Sequence, residues 1–209
     1  RQIVTVSASQ TMAATNREKY ELIKDGVQVT FRNAKGERVR QRLRVFDFDV
    51  AENNHFLCVR ELWVRSDLYR RRADIVGFVN GLPLLFMELK NVSRDIRAAY
   101  EQNFLDYKDT VPHLFHHNAM VVLANGVDAK LGSLTSRFEH FHEWKRLAEN
   151  QPGVVAMETL LKGVCAKANF LDLVENFIVF DDSAGESRKI LARNHQFLGV
   201  NRAIEAVRD

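Results

Sequence analysis

The chain has 209 residues, 46% of them hydrophobic and 27% charged, with a formal net charge of +3, an ordinary composition for one large globular domain or a domain with an appendage. No run approaches the ~20 consecutive apolar residues of a membrane-crossing helix. Only two cysteines occur, Cys58 and Cys165, without CxxC spacing, which excludes a disulfide framework and fits buried thiols in a reducing cytoplasm.

The first residues, RQIVTVSASQ, carry neither an initiator Met nor a basic-then-apolar signal, so the numbering is expected to begin inside a longer polypeptide. Residues 15–23 read as a helix, followed by strands at 27–32 and 39–48 around an Asn33-Ala34-Lys35-Gly36 turn. Arg38, Arg40, Arg42 and Arg44 alternate and so share one face of an extended segment. They read equally as phosphate contacts and as charges protecting an exposed edge. Residues 55–64, rich in β-branched, aromatic and Leu side chains, form another strand.

Two apolar runs, 75–79 and 84–87, then flank Asn80-Gly81, the dipeptide favoured where both central turn residues need positive φ. They are expected as a hairpin buried on both faces in the centre of a sheet. Ser93 is placed to cap a helix running to about 110, with Ile96, Ala99, Tyr100, Phe104 and Tyr107 at helical spacing and Pro112 at its end. The apolar strand at 119–124 follows a strand and a helix, so a crossover makes it parallel to a hairpin strand. Beyond a loop and short strand at 132–144, helices are expected at 157–165 and 169–179, then a turn at 181–185 and an amphipathic terminal helix within 186–209. The seven histidines, His113, His116, His117, His140 and His142 among them, lack metal-site spacing and are expected on surfaces and in loops. The architecture is expected to be α/β, a mixed sheet with helices on both faces.

The hairpin carries charge into that sheet. Asp74 opens its first run, and Glu88 and Lys90 close its second with the Leu89 carbonyl between them. Asp74 lies six residues before Asn80 and Glu88 seven after Gly81, which brings the carboxylates near each other on paired strands. Two close carboxylates repel unless a proton or a divalent cation lies between them. Mg²⁺ is commonly held by one or two carboxylates with waters and a phosphate, and an ammonium beside it neutralises charge developing on phosphorus. Residues of this kind are equipment for phosphodiester hydrolysis. Arg65, Arg70, Arg71 and Arg72 crowd the approach to Asp74 as candidate phosphate contacts.

The pattern of Asp, thirteen residues, then Glu-x-Lys resembles the PD-(D/E)xK nuclease signature, with Ala73 in place of the usual proline. The wording ADIVGFVNGLPLLFMELKN is similar to the N-terminal endonuclease domain of type I restriction motor subunits. The resemblance implies a restriction-endonuclease-like mixed sheet flanked by helices over residues 1–155. It implies a helical extension over 156–209 leading towards a helicase-type motor. Asp74, Glu88 and the Leu89 carbonyl become ligands of Mg²⁺ or its substitute Mn²⁺, and Lys90 the catalytic lysine. A family Gln-x-x-x-Tyr element is matched only by Gln102 and Tyr107, five apart. A third acidic ligand is unassigned, with Glu18 and Glu21 as candidates. The resemblance further implies a prokaryotic cytoplasmic protein acting on double-stranded DNA with methyltransferase and specificity subunits, and no membrane partner. ATP belongs to the full-length protein; His195-Gln196 resembles an adenine-contacting segment, but no GxxxxGK[ST] loop is present. A different repair nuclease and a non-catalytic docking module are the alternatives.

Overall fold

The computed structural model describes residues 2–7, 9–183 and 185–208. Helix α1 (Met12–Asp25) is capped by Thr11, whose hydroxyl accepts from the Ala14 amide. Strands β1 (Val27–Arg32) and β2 (Arg38–Leu43) pair antiparallel as a separate ribbon. β2 stops at Leu43, short of the expected residue 48, for a local reason. Phe46 turns inward to 1% exposure, while the Asn54 side chain accepts from the Asp47 amide and donates to the Asp47 carbonyl, holding the segment as a loop.

The central sheet contains β3 (Phe56–Arg65), β4 (Arg70–Val79), β5 (Leu82–Leu89), β6 (Met120–Ala124) and β7 (Ala129–Gly132) in spatial order β3-β4-β5-β6-β7. The first three form an antiparallel meander, β6 runs parallel to β5 as expected, and β7 returns antiparallel. β7, only four residues long, carries too short a pattern to be read beforehand. β3 is an edge strand, and Cys58 on it is exposed, contrary to the expected buried thiol.

The turn between β4 and β5 has Asn80 at φ 48° and Gly81 at φ 83°, the left-handed pair that Asn-Gly supplies. The hairpin does not keep one register. Phe78 pairs with Pro83, whereas Gly77 pairs with Leu85 and Ile75 with Met87, so Leu84 is an extra residue on β5. Gly77 fits this bulge because an added Cβ would stand 3.1 Å from the Leu85 Cβ.

Ser93 does not cap the next helix; its amide and hydroxyl bond the Asn91 side chain in a turn. Asp95 accepts the Arg97 amide instead. A π-helical turn over Ala99–Phe104 follows and continues into α2 (Leu105–Thr110), after which Pro112 opens a 3₁₀ turn, Pro112–Phe115. The segment after β7 forms a short 3₁₀ turn, Phe138–His140, and a single bridge between His142 and Leu131.

Helices α3 (Met157–Val164) and α4 (Lys167–Asn176) come next. α4 ends before the expected residue 179 because Ile178 and Val179 belong to strand β8 (Ile178–Asp181). β8 pairs with β9 (Arg188–Leu191), and α5 (Asn194–Arg208) closes the chain. The expected terminal helix thus begins only after a strand; of the residues assigned to the turn and that helix, Ala184 and Asp209 lie outside the described residues.

One apolar cluster lies on one side of the sheet and joins Leu84, Leu85 and Met87 to Tyr20, Trp144, Leu160, Phe170 and Phe197. The other joins Phe86, Val121 and Leu123 to Phe104, Tyr107 and Phe115. Among the described residues no helix is long and apolar enough to cross a membrane.

Gly163 on α3 admits Trp144 against its backbone, and an added Cβ would stand 2.1 Å from the indole nitrogen. Trp144 is 1% exposed. Gly163→Ala should therefore destabilise the fold by ~1–3 kcal/mol, although alanine in a helix is favoured over glycine by ~1 kcal/mol. Urea denaturation measures this, and an unchanged midpoint would show that Trp144 can move aside.

Candidate functional site

The β5 sequence Phe86-Met87-Glu88-Leu89 alternates between the two sides of the sheet. Met87 and Leu89 pack with the cluster containing Trp144, and Phe86 belongs to the opposite one. Glu88 follows Phe86 by two residues and projects to the same side. There the Phe86 ring meets Phe104, Tyr107 and Phe115 at centroid distances of 6.1, 5.6 and 5.2 Å. These contacts seat the π-helical turn and α2 beside Glu88.

The bulge places Asp74. The ladder ends at Ile75–Met87, and Asp74 follows just past it beside Glu88; were Leu84 paired rather than bulged out, Ile75 would face Phe86 and Asp74 would fall beside Met87. The Asp74 Oδ2 accepts the Leu89 amide at 2.8 Å, which fixes that carboxylate at the end of β5. Glu88 is 2% exposed. Its Oε1 lies 3.5 Å from the Lys90 ammonium, and its Oε2 is buried without a hydrogen-bond partner. Burial, with the neighbouring Asp74 charge second, pushes the Glu88 carboxyl up to about 8, and Lys90 opposes the shift.

Lys90 is held from two directions. Its amide donates to the Ala124 carbonyl at 2.8 Å, and its ammonium donates to Asn103 Oδ1 as well as facing Glu88. Tyr107 is 6% exposed, and its hydroxyl donates to the Arg72 carbonyl at 2.8 Å. Burial, then the Glu88 charge, pushes that phenol up to about 12. It stays protonated and serves as a donor.

The structure thus brings Asp74, Glu88, Lys90 and Tyr107 together. Gln102 is exposed, and Asn103 takes the place next to Lys90. A signal for Asn103 was present, since it stands four residues before Tyr107 and this spacing puts two side chains on one helix face. Arg71 grips Asp106 on α2 through two nitrogens, one at 2.9 Å, and so ties β4 to the helix. Arg65, Arg70 and Arg72 remain exposed. Glu18 and Glu21 pair with Lys19 and Arg17 on α1, and among the described residues no group of three His, Cys, Asp or Glu converges as a ready metal cluster. Two carboxylates, one with a buried orphaned oxygen, still make a donor set that a hard divalent cation fits.

A family model described as type I restriction enzyme R protein N terminus matches residues 2–140. The type I restriction enzyme HindI endonuclease subunit of Haemophilus influenzae is 36% identical over 205 residues, covering 93% of this chain and 19% of the relative. A Methanocaldococcus jannaschii protein provisionally named type I restriction enzyme MjaIXP endonuclease subunit is 26% identical over 210 residues, covering 89% of this chain and 20% of the relative. The chain therefore spans about a fifth of the length of these curated relatives.

Glu88 makes metal-free stability depend on pH. Between the ordinary value of 4.5 and the raised value of about 8, the unfolded chain loses this proton and the folded chain keeps it. Stability from this group therefore falls as pH rises through that window, by at most about 1.4 kcal/mol per pH unit. Glu88→Gln should flatten the dependence and raise the melting temperature at pH 8. Thermal melts from pH 5 to 8 in chelator would read it; equal slopes in both proteins would mean that Glu88 is ionised throughout.

Proposed function

The chain belongs to the family of type I restriction enzyme R protein N termini, and from that premise we propose that it is a Mg²⁺-dependent endonuclease domain hydrolysing phosphodiesters of DNA. One observation carries the reading. Glu88 is a buried carboxylate with an unpartnered oxygen, beside a second carboxylate and a restrained ammonium. Burying such a group is costly without a partner, and a cation held by Asp74 and Glu88 would supply one.

Asp74, Glu88 and the Leu89 carbonyl would hold Mg²⁺, or Mn²⁺ in its place. The ion, when bound, acidifies water and withdraws charge from phosphate oxygens. Everything else falls to the chain. The Leu89 amide orients Asp74 so that its second oxygen is free for a ligand. Glu88 and Asn103 hold the Lys90 ammonium where it can face a phosphate and offset the charge that develops in the transition state. Tyr107 holds β4 in position through the Arg72 carbonyl. Arg65, Arg70 and Arg72 supply exposed guanidinium groups for the DNA backbone. In the complete enzyme we place this centre alongside an ATP-driven motor and the methyltransferase and specificity subunits, acting on double-stranded DNA in the bacterial or archaeal cytoplasm.

Calorimetric titration with Mn²⁺ and Mg²⁺ tests the centre directly. The parent chain should bind, while Asp74→Ala and Glu88→Ala, checked for folding, should not. A parent that binds neither ion in the presence of duplex DNA would sink the nuclease reading in favour of a docking module. Lys90→Ala should keep the ion and lower DNA cleavage by the complete enzyme by roughly two to three orders of magnitude. Loss of ion binding in that variant would instead make Lys90 a structural partner of Glu88.

A further inference from the structure

The outer half of the β3–β4 hairpin has two unlike faces. Leu62, Val64 and Ala73 pack with the cluster around Phe86 and Tyr107. On the other face, Trp63 pairs across the ladder with Arg72, and Arg65 with Arg70, so these four side chains stand together. All four are exposed, Trp63 to 56%. The Arg70 guanidinium lies over the indole at 4.0 Å from its centroid, and that of Arg72 at 5.8 Å. Arg72 is 3.5 Å from Glu61, but among the described residues no carboxylate lies within salt-bridge distance of Arg65 or Arg70. Two unneutralised arginines directly opposite one another repel. A polyanion laid along this face would neutralise that repulsion.

Charge alone would suit any nucleic acid. An exposed indole among arginines adds a surface on which a base can stack, and a base offers its face only when it is unpaired. Arg72 lies two residues before Asp74 on β4, so the track adjoins the strand that carries one of the two carboxylates, on the face of the sheet turned away from the Phe86 cluster. We propose that Trp63, Arg65, Arg70 and Arg72 form a docking track for a single unpaired DNA strand, holding that strand on the nuclease domain at the edge strand next to β4. This rests on the nuclease reading for its purpose but not for its binding chemistry.

The experiment uses a fluorescein-labelled 20-mer of thymidine and a duplex of the same length, with the whole chain in EDTA so that neither ions nor cleavage contribute. The single strand should bind more tightly than the duplex. Trp63→Ala should weaken single-strand binding at least about fivefold and leave duplex binding unchanged, while Trp63→Phe, which keeps a stacking face, should largely restore it. Single-strand binding should also quench indole fluorescence, a direct reading of Trp63 because Trp144, the other of two tryptophans, is 1% exposed. Arg70→Ala should lower the salt dependence of log K by ~0.7. Equal affinity of parent and Trp63→Ala for the single strand overturns the proposal, as does tighter duplex binding without quenching, which would mean a phosphate-only surface. Trp63→Ala should keep the Mn²⁺ binding expected of the parent, so a failure of the metal centre and a failure of this track are read separately.

Discussion

A carboxylate buried in the middle strand of the sheet, with one oxygen lacking a partner, is the constraint around which the rest of this structure is arranged. Glu88 cannot be satisfied by the strand that carries it, and Asp74 beside it makes ionisation harder. Apolar packing would favour a neutral residue here. Several features far apart in the chain nonetheless converge on keeping the group in place. The β5 bulge at Leu84 sets the offset that brings Asp74 beside it. The Leu89 amide holds Asp74, and Lys90 supplies a positive charge beside Glu88.

The second side of the site is built by aromatic packing. Phe86 supports Phe104, Tyr107 and Phe115, and this cluster sets the phase of the helix over the strand. Once seated, the helix delivers Asn103 to Lys90 and Tyr107 to the Arg72 carbonyl, while Asp106 clamps Arg71. The π-helical turn falls within this same stretch, and such wide turns are frequent at functional sites. Hydrophobic contact therefore positions polar groups that would not find one another by their own weak attraction in water.

The opposite side of the sheet is locked by a different device. Lys189 on β9 is 2% exposed, and its ammonium donates to the Asn118 carbonyl at 2.6 Å and to Asn16 Oδ1 at 3.0 Å. It joins β9 to α1 and to the segment entering β6. Burial pushes this ammonium down to about 7, so the charged form depends on those two oxygens. Trp144 against Gly163 closes the same side. The sheet is thereby packed from both faces.

What could be read from the residues alone was what short-range spacing encodes. The apolar runs around Asn80-Gly81 define a buried hairpin, because only that turn suits its dihedral angles and only a central strand suits an unbroken apolar run. The pattern from Asp74 to Glu88 and Lys90 marks those three residues as a group, and the strand at 119–124 follows in parallel pairing as expected. Tertiary structure alone decided the rest. Ile178 and Val179 leave a helical pattern for a strand because β9 is there to pair with them. Cys58 is exposed because β3 lies at the sheet edge. Asn103 replaces Gln102 beside Lys90 because the seating of a helix is set by packing across its whole face. The bulging of one residue, Leu84, offsets β5 by one position and leaves Asp74 beside Glu88 at the end of the ladder. Turn type and strand pattern are local properties of the chain, whereas register, exposure and the partner of each side chain depend on what the remainder of the molecule presents.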